Sequence, residues 1–256
     1  MTRFKLKSRD FLSSSAGKRE FNEKLFSAIA REYTWMSRIL SFGRDAAWKK
    51  KLLRQIPDLP SSPACLDLAC GHGELIRLLY ERIPVAAFTG IDLCEPMLAE
   101  ARDCLPPEIN VNLIQGDMTD THLPDAAFDL VTVGYGLRNA PELEAALDEI
   151  ERVLTPGGYM AGLDFSRWNN PFAMRFELAV LRLWCSLWGL VRSGNPDTYA
   201  YIADSLARFP QRQKLHEMLT AKGFRIVSSR RHCLGVIETF VAQKADYNQP
   251  TNEESP

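Results

Sequence analysis

The sequence predicts an α/β protein built on a seven-stranded, mostly parallel sheet with helices on both faces. Three observations carry that expectation. Apolar, β-type runs alternate with helical-period segments between residues 64 and 165, the pattern of a parallel sheet covered on both sides. A glycine turn joins the first run to the helix behind it. After Phe165 the alternation stops, and the last two short apolar runs suit an antiparallel addition at the sheet edge.

The elements follow in order. Helical patterning covers Phe21 to Arg31 and Asp45 to Gln55, and the proline-containing stretch from Pro57 to Pro63 leads into the first strand. Strands are expected at Ala64–Leu68, Ala87–Asp92, Val111–Gln115, Leu130–Gly134 and Gly158–Phe165. Helices at Glu74–Arg82, Glu95–Cys104 and Glu142–Val153 separate them. Pro156-Gly157-Gly158 ends the last of these helices and turns the chain into the fifth strand. Helices near Phe172–Val191, Thr198–Arg208 and Gln211–Lys222 come next, then strands at Phe224–Ser229 and Val236–Val241. This gives one domain over 21–244: a helical cap (21–56), a core (64–165), a helical insert (166–210) and a closing helix with two strands (211–244). Residues 1–20 read as a flexible basic tail and 245–256 as a polar, disordered one.

Bulk properties narrow the function. The chain has 256 residues, is 46% hydrophobic and carries a net charge of −1. That suffices for a sizeable core and offers no general attraction to nucleic acid. Six scattered cysteines without a CxxC read as small buried hydrophobes in a reducing compartment, with no metal site expected. The N-terminus lacks the apolar run of a signal peptide, so a cytoplasmic location is expected. Phe172–Val191 is about long enough to span a bilayer, but Arg175, Glu177 and Arg182 interrupt it. Trp184 and Trp188 share a helix face with Leu181. Two readings stand: an amphipathic helix packed on the core as part of a lid, or a peripheral contact with a membrane face.

The chemistry concentrates at the predicted carboxyl ends of the strands, where ligands sit in folds of this kind. The first strand ends in Asp67 and the turn Ala69-Cys70-Gly71-His72-Gly73-Glu74 follows. Gly71 and Gly73 let a ligand approach the backbone, and His72 is expected to touch it through its main chain. A dinucleotide turn would have a third glycine where Ile76 stands, and Glu74 would repel a diphosphate at the helix N-terminus. The two carboxylates, Asp67 and Glu74, suit a cation instead, which points to S-adenosyl-L-methionine with its sulfonium and ammonium groups. Asp92 ends the second strand, where a carboxylate holds both ribose hydroxyls or simply caps the next helix; Met97 offers an apolar surface for adenine. Asp117 and Met118 follow the third strand, as an adenine contact or as a plain Gly-Asp turn. The fourth strand ends in Gly134, beside the expected sulfur position, and runs on to Gly-Leu-Arg-Asn at 136–139.

Together, LDLACGHGEL, GIDLCEPML, GDMTDTHLPDAAFDLVTVGYGLRN and IERVLTPGG resemble the class I S-adenosylmethionine-dependent methyltransferases. GLRN at 136–139, LDFSRWNNP at 163–171 and YAYIADSLARFPQRQKL at 199–215 resemble, more narrowly, the ubiquinone/menaquinone biosynthesis C-methyltransferase (UbiE-like) family. The resemblance implies a Rossmann-like fold and a quinol-like small-molecule substrate, methylated on ring carbon. It implies Arg138 beside the reacting hydroxyl, with Asn139 and Tyr33 orienting the ring; a structural ion pair is the alternative for Arg138. A homodimer or a biosynthetic complex is also expected. The chain departs from the family pattern at Tyr33, Thr34, Ser37 and Asp45 in the cap, at His72 and Glu74 in the loop, and at Asp164. A secondary-metabolite methyltransferase, or a protein that binds the cofactor without transferring methyl, are the competing expectations.

Overall fold

The computed structural model describes residues 14–168, 170–194 and 196–246. Its sheet has seven strands: β1 (Ala64–Leu68), β2 (Ala87–Asp92), β3 (Val111–Gln115), β4 (Phe128–Gly134), β5 (Leu154–Phe165), β6 (Phe224–His232) and β7 (Ile237–Lys244). The spatial order is β3-β2-β1-β4-β5-β7-β6. β7 alone runs antiparallel, slotted between β5 and β6. The order reverses between β1 and β4, which pair directly in parallel register, so the loops after them diverge and leave a crevice.

Nine helices of eight residues or more complete the described fold: α1 (Ser15–Ile29), α2 (Tyr33–Leu40), α3 (Asp45–Leu53), α4 (Glu74–Arg82), α5 (Glu95–Cys104), α6 (Leu143–Val153), α7 (Pro171–Ser193), α8 (Asp197–Arg208) and α9 (Arg212–Ala221). β1 and β4 lie in the middle of the sheet; Leu66, Leu68, Leu130 and Val131 are fully buried. Continuous apolar burial of this kind is what a central parallel strand requires. One core cluster joins α6 and α9 to the sheet, and a second joins α3, α4 and α5 to it. A third stands apart: Phe21, Leu25 and Met36 of the cap close on Cys185, Tyr199 and Ile202 of the insert.

The structure moves several expected bounds: β4 starts two residues early at Phe128, β6 runs on to His232 and β7 spans Ile237–Lys244, and three further corrections have local causes or consequences. The first helix starts at Ser15 rather than Phe21, because the Ser14 hydroxyl accepts from Gly17 N and caps it. The flexible tail therefore does not reach residue 20; residues 1–13 lie outside the described residues, as do 247–256 of the C-terminal tail. α2 is a separate helix, set off from α1 by a 3₁₀ turn at Ala30–Glu32. β5 begins at Leu154, four residues early, since Leu154 already pairs with Phe128 across an irregular register.

α7 shows how local signals fix a boundary. Asn170 accepts from Phe172 N and Ala173 N, Pro171 opens the first turn, and Gly194 closes the helix at φ 65°. Among the described residues no helix is long and apolar enough to cross a membrane. The four buried cysteines are free thiols, as are exposed Cys104 and Cys233.

Candidate active site

Two adjoining cavities open at the carboxyl ends of β1, β2 and β4. The first is a cleft with carboxylates set among apolar groups, lined by Asp67, Gly71, His72, Asp92, Met97, Asp117, Met118 and Gly134. Eight of the nine predicted cofactor residues thus converge. Gly73 is the exception. It stands at φ 78° as the N-cap of α4, where a Cβ would come within 3.0 Å of the Leu105 side chain, so it serves packing rather than the cleft. Gly71, at φ 56°, does face the cleft, and a Cβ there would reach to 3.1 Å of Met97 Cε.

Asp92 ties the two loops together. Its Oδ2 accepts from Gly71 N at 2.8 Å and its Oδ1 from Cys94 N at 2.9 Å. Burial pushes its carboxyl above the ordinary value, against those backbone bonds. Each oxygen retains a second lone pair, so a diol is compatible with this arrangement. Asp67 is buried deeper. Thr132 Oγ1 donates to it at 2.6 Å, yet burial dominates and raises its pKa to about 7. Asp117 is partly committed: Thr119 N and Oγ1 donate to Oδ1 at 2.9 and 2.8 Å, and Arg19 lies 3.3 Å from Oδ2.

Glu74 is not the free cation receptor that the sequence suggested. Lys49 of α3 donates to Glu74 Oε2 at 2.6 Å and to Asp45 Oδ2 at 2.7 Å. Burial alone would lift the Glu74 carboxyl, but His72 and Lys49 outweigh it and hold it down at about 2. Lys49 is likewise kept above its ordinary value by its two carboxylates, against its burial. His72 presents more than its main chain: its ring lies 5.7 Å from that of Tyr33, and its buried Nδ1 has no hydrogen-bond partner among the described residues.

The second cavity is an apolar chamber of about 340 Å³ between the cap, α7, α8 and the turn before β7. Tyr33, Tyr135 and Asn139 line both cavities and form the wall between them. Burial raises the Tyr33 hydroxyl well above its usual range. Asn139 donates to Tyr135 O at 3.0 Å, while its Oδ1 is buried and unpaired among the described residues. Of these two cavities Arg138 lines the chamber and not the cleft, and its side chain is held as the ion-pair alternative required. It sits 3.5 Å from Asp164 Oδ1 and donates to Ser205 Oγ at 2.5 Å. Its guanidinium lies over the rings of Phe165 (5.0 Å) and Tyr201 (5.9 Å). The three expected catalytic residues are therefore together, with Arg138 at the wall rather than free in the space.

Sequence reasoning missed Tyr135 and Lys49. The Asp45–Lys49 spacing does signal a helical i, i+4 pair. Nothing local marks Glu74 as the third member or Tyr135 as a wall residue, since both depend on how the cap folds over the sheet.

This crevice, with an acidic β2 end and a glycine loop after β1, defines an S-adenosylmethionine-dependent methyltransferase of the Rossmann-like type, and the solved relatives share the fold. A putative methyltransferase from Haloferax volcanii, solved in complex with its Trm112 activator, superposes with TM-score 0.65 at 14% identity, covering 89% of this chain and 99% of the other. An S-adenosylmethionine-dependent methyltransferase from Mesorhizobium loti gives 0.57 at 18% identity, over 78% and 98%. The ubiE/COQ5 methyltransferase family model matches residues 14–244, and the chain belongs to that family. Similar curated proteins include a demethylmenaquinone methyltransferase of Thermus thermophilus, 37% identical over 79% of this chain and 92% of that protein. Another of the same name from Staphylococcus aureus is 28% identical over 93% and 98%. The cofactor is S-adenosyl-L-methionine. The first cleft fits it: a buried carboxylate suits a cation, and the orphaned His72 Nδ1 and the Cβ-free cradle at Gly71 suit a close polar ligand.

Proposed function

We propose that the protein methylates a ring carbon of a demethylated quinol, of the demethylmenaquinol or polyprenyl-benzoquinol type, with the ring at the Tyr33–Tyr135–Asn139 wall. The observation that carries this reading is the apolar chamber on the far side of that wall. An isoprenoid-bearing aromatic needs a polar spot for its ring and a long apolar exit for its tail, and the two joined cavities offer both. The bound cofactor supplies an electrophilic methyl group on its sulfonium. Asp67, Asp92 and the Gly71 cradle hold it in the cleft, while Asn139 and Tyr33 orient the ring. Arg138, fixed by Asp164 and Ser205, presents positive charge to an ionised ring oxygen. As a guanidinium it is no proton acceptor. Expression in a bacterial strain lacking its quinone C-methyltransferase tests the reading. Methylated quinone by mass spectrometry is expected; accumulation of the demethyl form despite good expression overturns it.

The mouth of the chamber supports the further reading that the protein works as a peripheral partner of an anionic membrane face. Phe172, Phe176, Val180, Leu183, Leu187, Leu190 and Val191 form one exposed stripe along α7; Phe172 is 82% and Leu183 73% exposed. Phe42 and Leu234 are also exposed, and with Phe176 and Val180 they rim the chamber. The segments that carry these residues, 35–44, 171–191 and 230–237, contain one carboxylate, Glu177, and it is buried; Arg38, Arg44, Arg175 and Arg231 are exposed. A basic, apolar surface complements acidic headgroups better than it does another copy of itself. In flotation with phosphatidylglycerol-containing vesicles the protein is expected to rise, and a F176D/L183D variant to stay behind. Wild-type protein left at the bottom of the gradient refutes the contact.

A further inference from the structure

We infer that Glu177 and Trp168 bind a second hydroxyl of the acceptor, one other than the hydroxyl that reacts, an inference that rests on the quinol reading above. Glu177 stands on α7 with Ala173, Leu181 and Trp184, and all four line the apolar chamber. A carboxylate is out of place there, because burial without partners is costly for it. Yet Glu177 is only 8% exposed. Its Oε2 accepts from Trp168 N at 3.3 Å, while its Oε1 is buried and has no hydrogen-bond partner among the described residues. Arg167 is committed elsewhere: its Nη1 donates to Ala207 O at 2.8 Å, and among the described residues no ion pair joins it to Glu177.

Trp168 completes the pair. It also lines the chamber, and its Nε1 is a buried donor with no hydrogen-bond partner among the described residues. The turn before β7 packs against this indole. Cys233, Leu234 and Gly235 pass through the left-handed region at φ 51°, 56° and 99°, a strained path for the first two. The glycine lets the backbone come close: a Cβ on it would stand 3.3 Å from Trp168 Nε1. Cys233 and Leu234 line the chamber beside it. A bare acceptor and a bare donor thus belong to two residues that the Trp168 N–Glu177 bond already joins.

The chemistry of the pair selects its occupant. A group that satisfies both residues donates to Glu177 Oε1 and accepts from Trp168 Nε1, and a hydroxyl does both with one oxygen. An ether or a quinone carbonyl only accepts, an ammonium only donates, and a carboxylate meets the charge of Glu177. A ligand without the hydroxyl leaves a buried carboxylate oxygen and an indole N–H unpaired, and a site built this way rejects the analogue that lacks the group. Two hydroxyls have this chemistry: the one para to the reacting oxygen on a quinol ring, and one carried on the acceptor's tail. In the first case the site admits the reduced ring and refuses the quinone.

The experiment uses the full chain as wild type and as Glu177→Leu, Glu177→Gln and Trp168→Phe. Anaerobic kcat/KM is compared for a short-chain naphthohydroquinone, its monomethyl ether para to the reacting oxygen, and the same hydroquinone with a hydroxyl ending its tail. If the ring supplies the hydroxyl, wild-type protein is expected to prefer the parent to the ether; if the tail does, the tail alcohol to the parent. Either preference is expected to be about tenfold to a hundredfold. Glu177→Leu is expected to abolish it while leaving the poorer acceptor's kcat/KM unchanged, which a merely structural defect would lower as well. Glu177→Gln keeps an acceptor oxygen and is expected to retain part of the preference, and it reports on the site with Trp168→Phe if Glu177→Leu folds poorly. Binding of 1-octanol and of its isomer 1-methoxyheptane, read by tryptophan fluorescence, needs no methyl transfer; the alcohol is expected to bind tighter to wild type by about tenfold and to lose that advantage in Glu177→Leu. Alcohol and ether that bind alike to wild type, or a hydroxyl preference that survives in Glu177→Leu, overturn the site. Absence of methyl transfer to all three acceptors, with the alcohol preference intact, would instead count against the quinol reading.

Discussion

Asp67, proposed above to hold the donor, is expected to make donor binding pH-dependent, and the size of the effect follows from its burial. The side chain ends β1, lines the cofactor cleft and is 2% exposed. Burial is the largest influence on it; the Thr132 hydroxyl and Lys49 pull the other way, and the pKa settles at about 7. A cationic donor needs the carboxylate ionised. Below pH 7 a proton competes, and affinity is expected to fall about tenfold by pH 6 and about a hundredfold by pH 5, the latter about 2.7 kcal/mol. Titration calorimetry with S-adenosylmethionine between pH 5 and 7.5 reads this directly. That window stays below the donor's own amino group, which titrates near 8. Asp67→Asn is expected to bind weakly and with little pH dependence. The same group links pH to stability. Its folded pKa lies above the unfolded value of about 3.9, so its contribution is greatest below pH 4 and is lost as pH rises toward 7, by about 4 kcal/mol at most. A wild-type Kd constant within threefold across the window, or a variant that tracks the wild type, refutes the reasoning.

Two further substitutions test the frame around the site. Asp164→Asn leaves the Arg138 guanidinium buried without its counter-charge and is expected to cost about 3–5 kcal/mol in denaturant unfolding, largely recovered in the Arg138→Met/Asp164→Asn double variant. An unchanged midpoint in the single variant would show that the pair is not what holds Arg138. Gly162→Ala places a Cβ 2.3 Å from Phe240 Cζ in the β5–β7 layer, where Phe240 is fully enclosed. Overpacking of this kind costs about 1–3 kcal/mol, and calorimetry is expected to show Tm lower by about 3–10 °C. An unaltered Tm argues that the two strands have room to separate.

The residues themselves determine a large part of this molecule. The alternation of apolar runs with helical segments dictates the parallel sheet, because a strand buried on both faces must be apolar throughout while a covering helix must be amphipathic. The turn at Ala69–Glu74, with Asp67 before it and Asp92 one strand away, marks the cleft proposed for the cofactor, because each lies at a strand end and strand ends converge in this topology. Caps such as Asn170 with Pro171 are local and equally legible. Long-range contacts decided the rest. Glu74 looks like a cation receptor in sequence, but α3 folds over the loop and Lys49 claims it. Arg138 looks free, but Asp164 and Ser205, one on the next strand and the other 67 residues away, fix it in the wall. Tyr135 is one aromatic among many until the turn after β4 forces it to φ 60° in the wall between the two cavities. The sequence therefore determines the sheet and the methyl donor's place, because those depend on periodicity and strand ends. The acceptor's surroundings depend on which charges burial leaves paired and which it leaves bare, and only the packed cap and insert decide that.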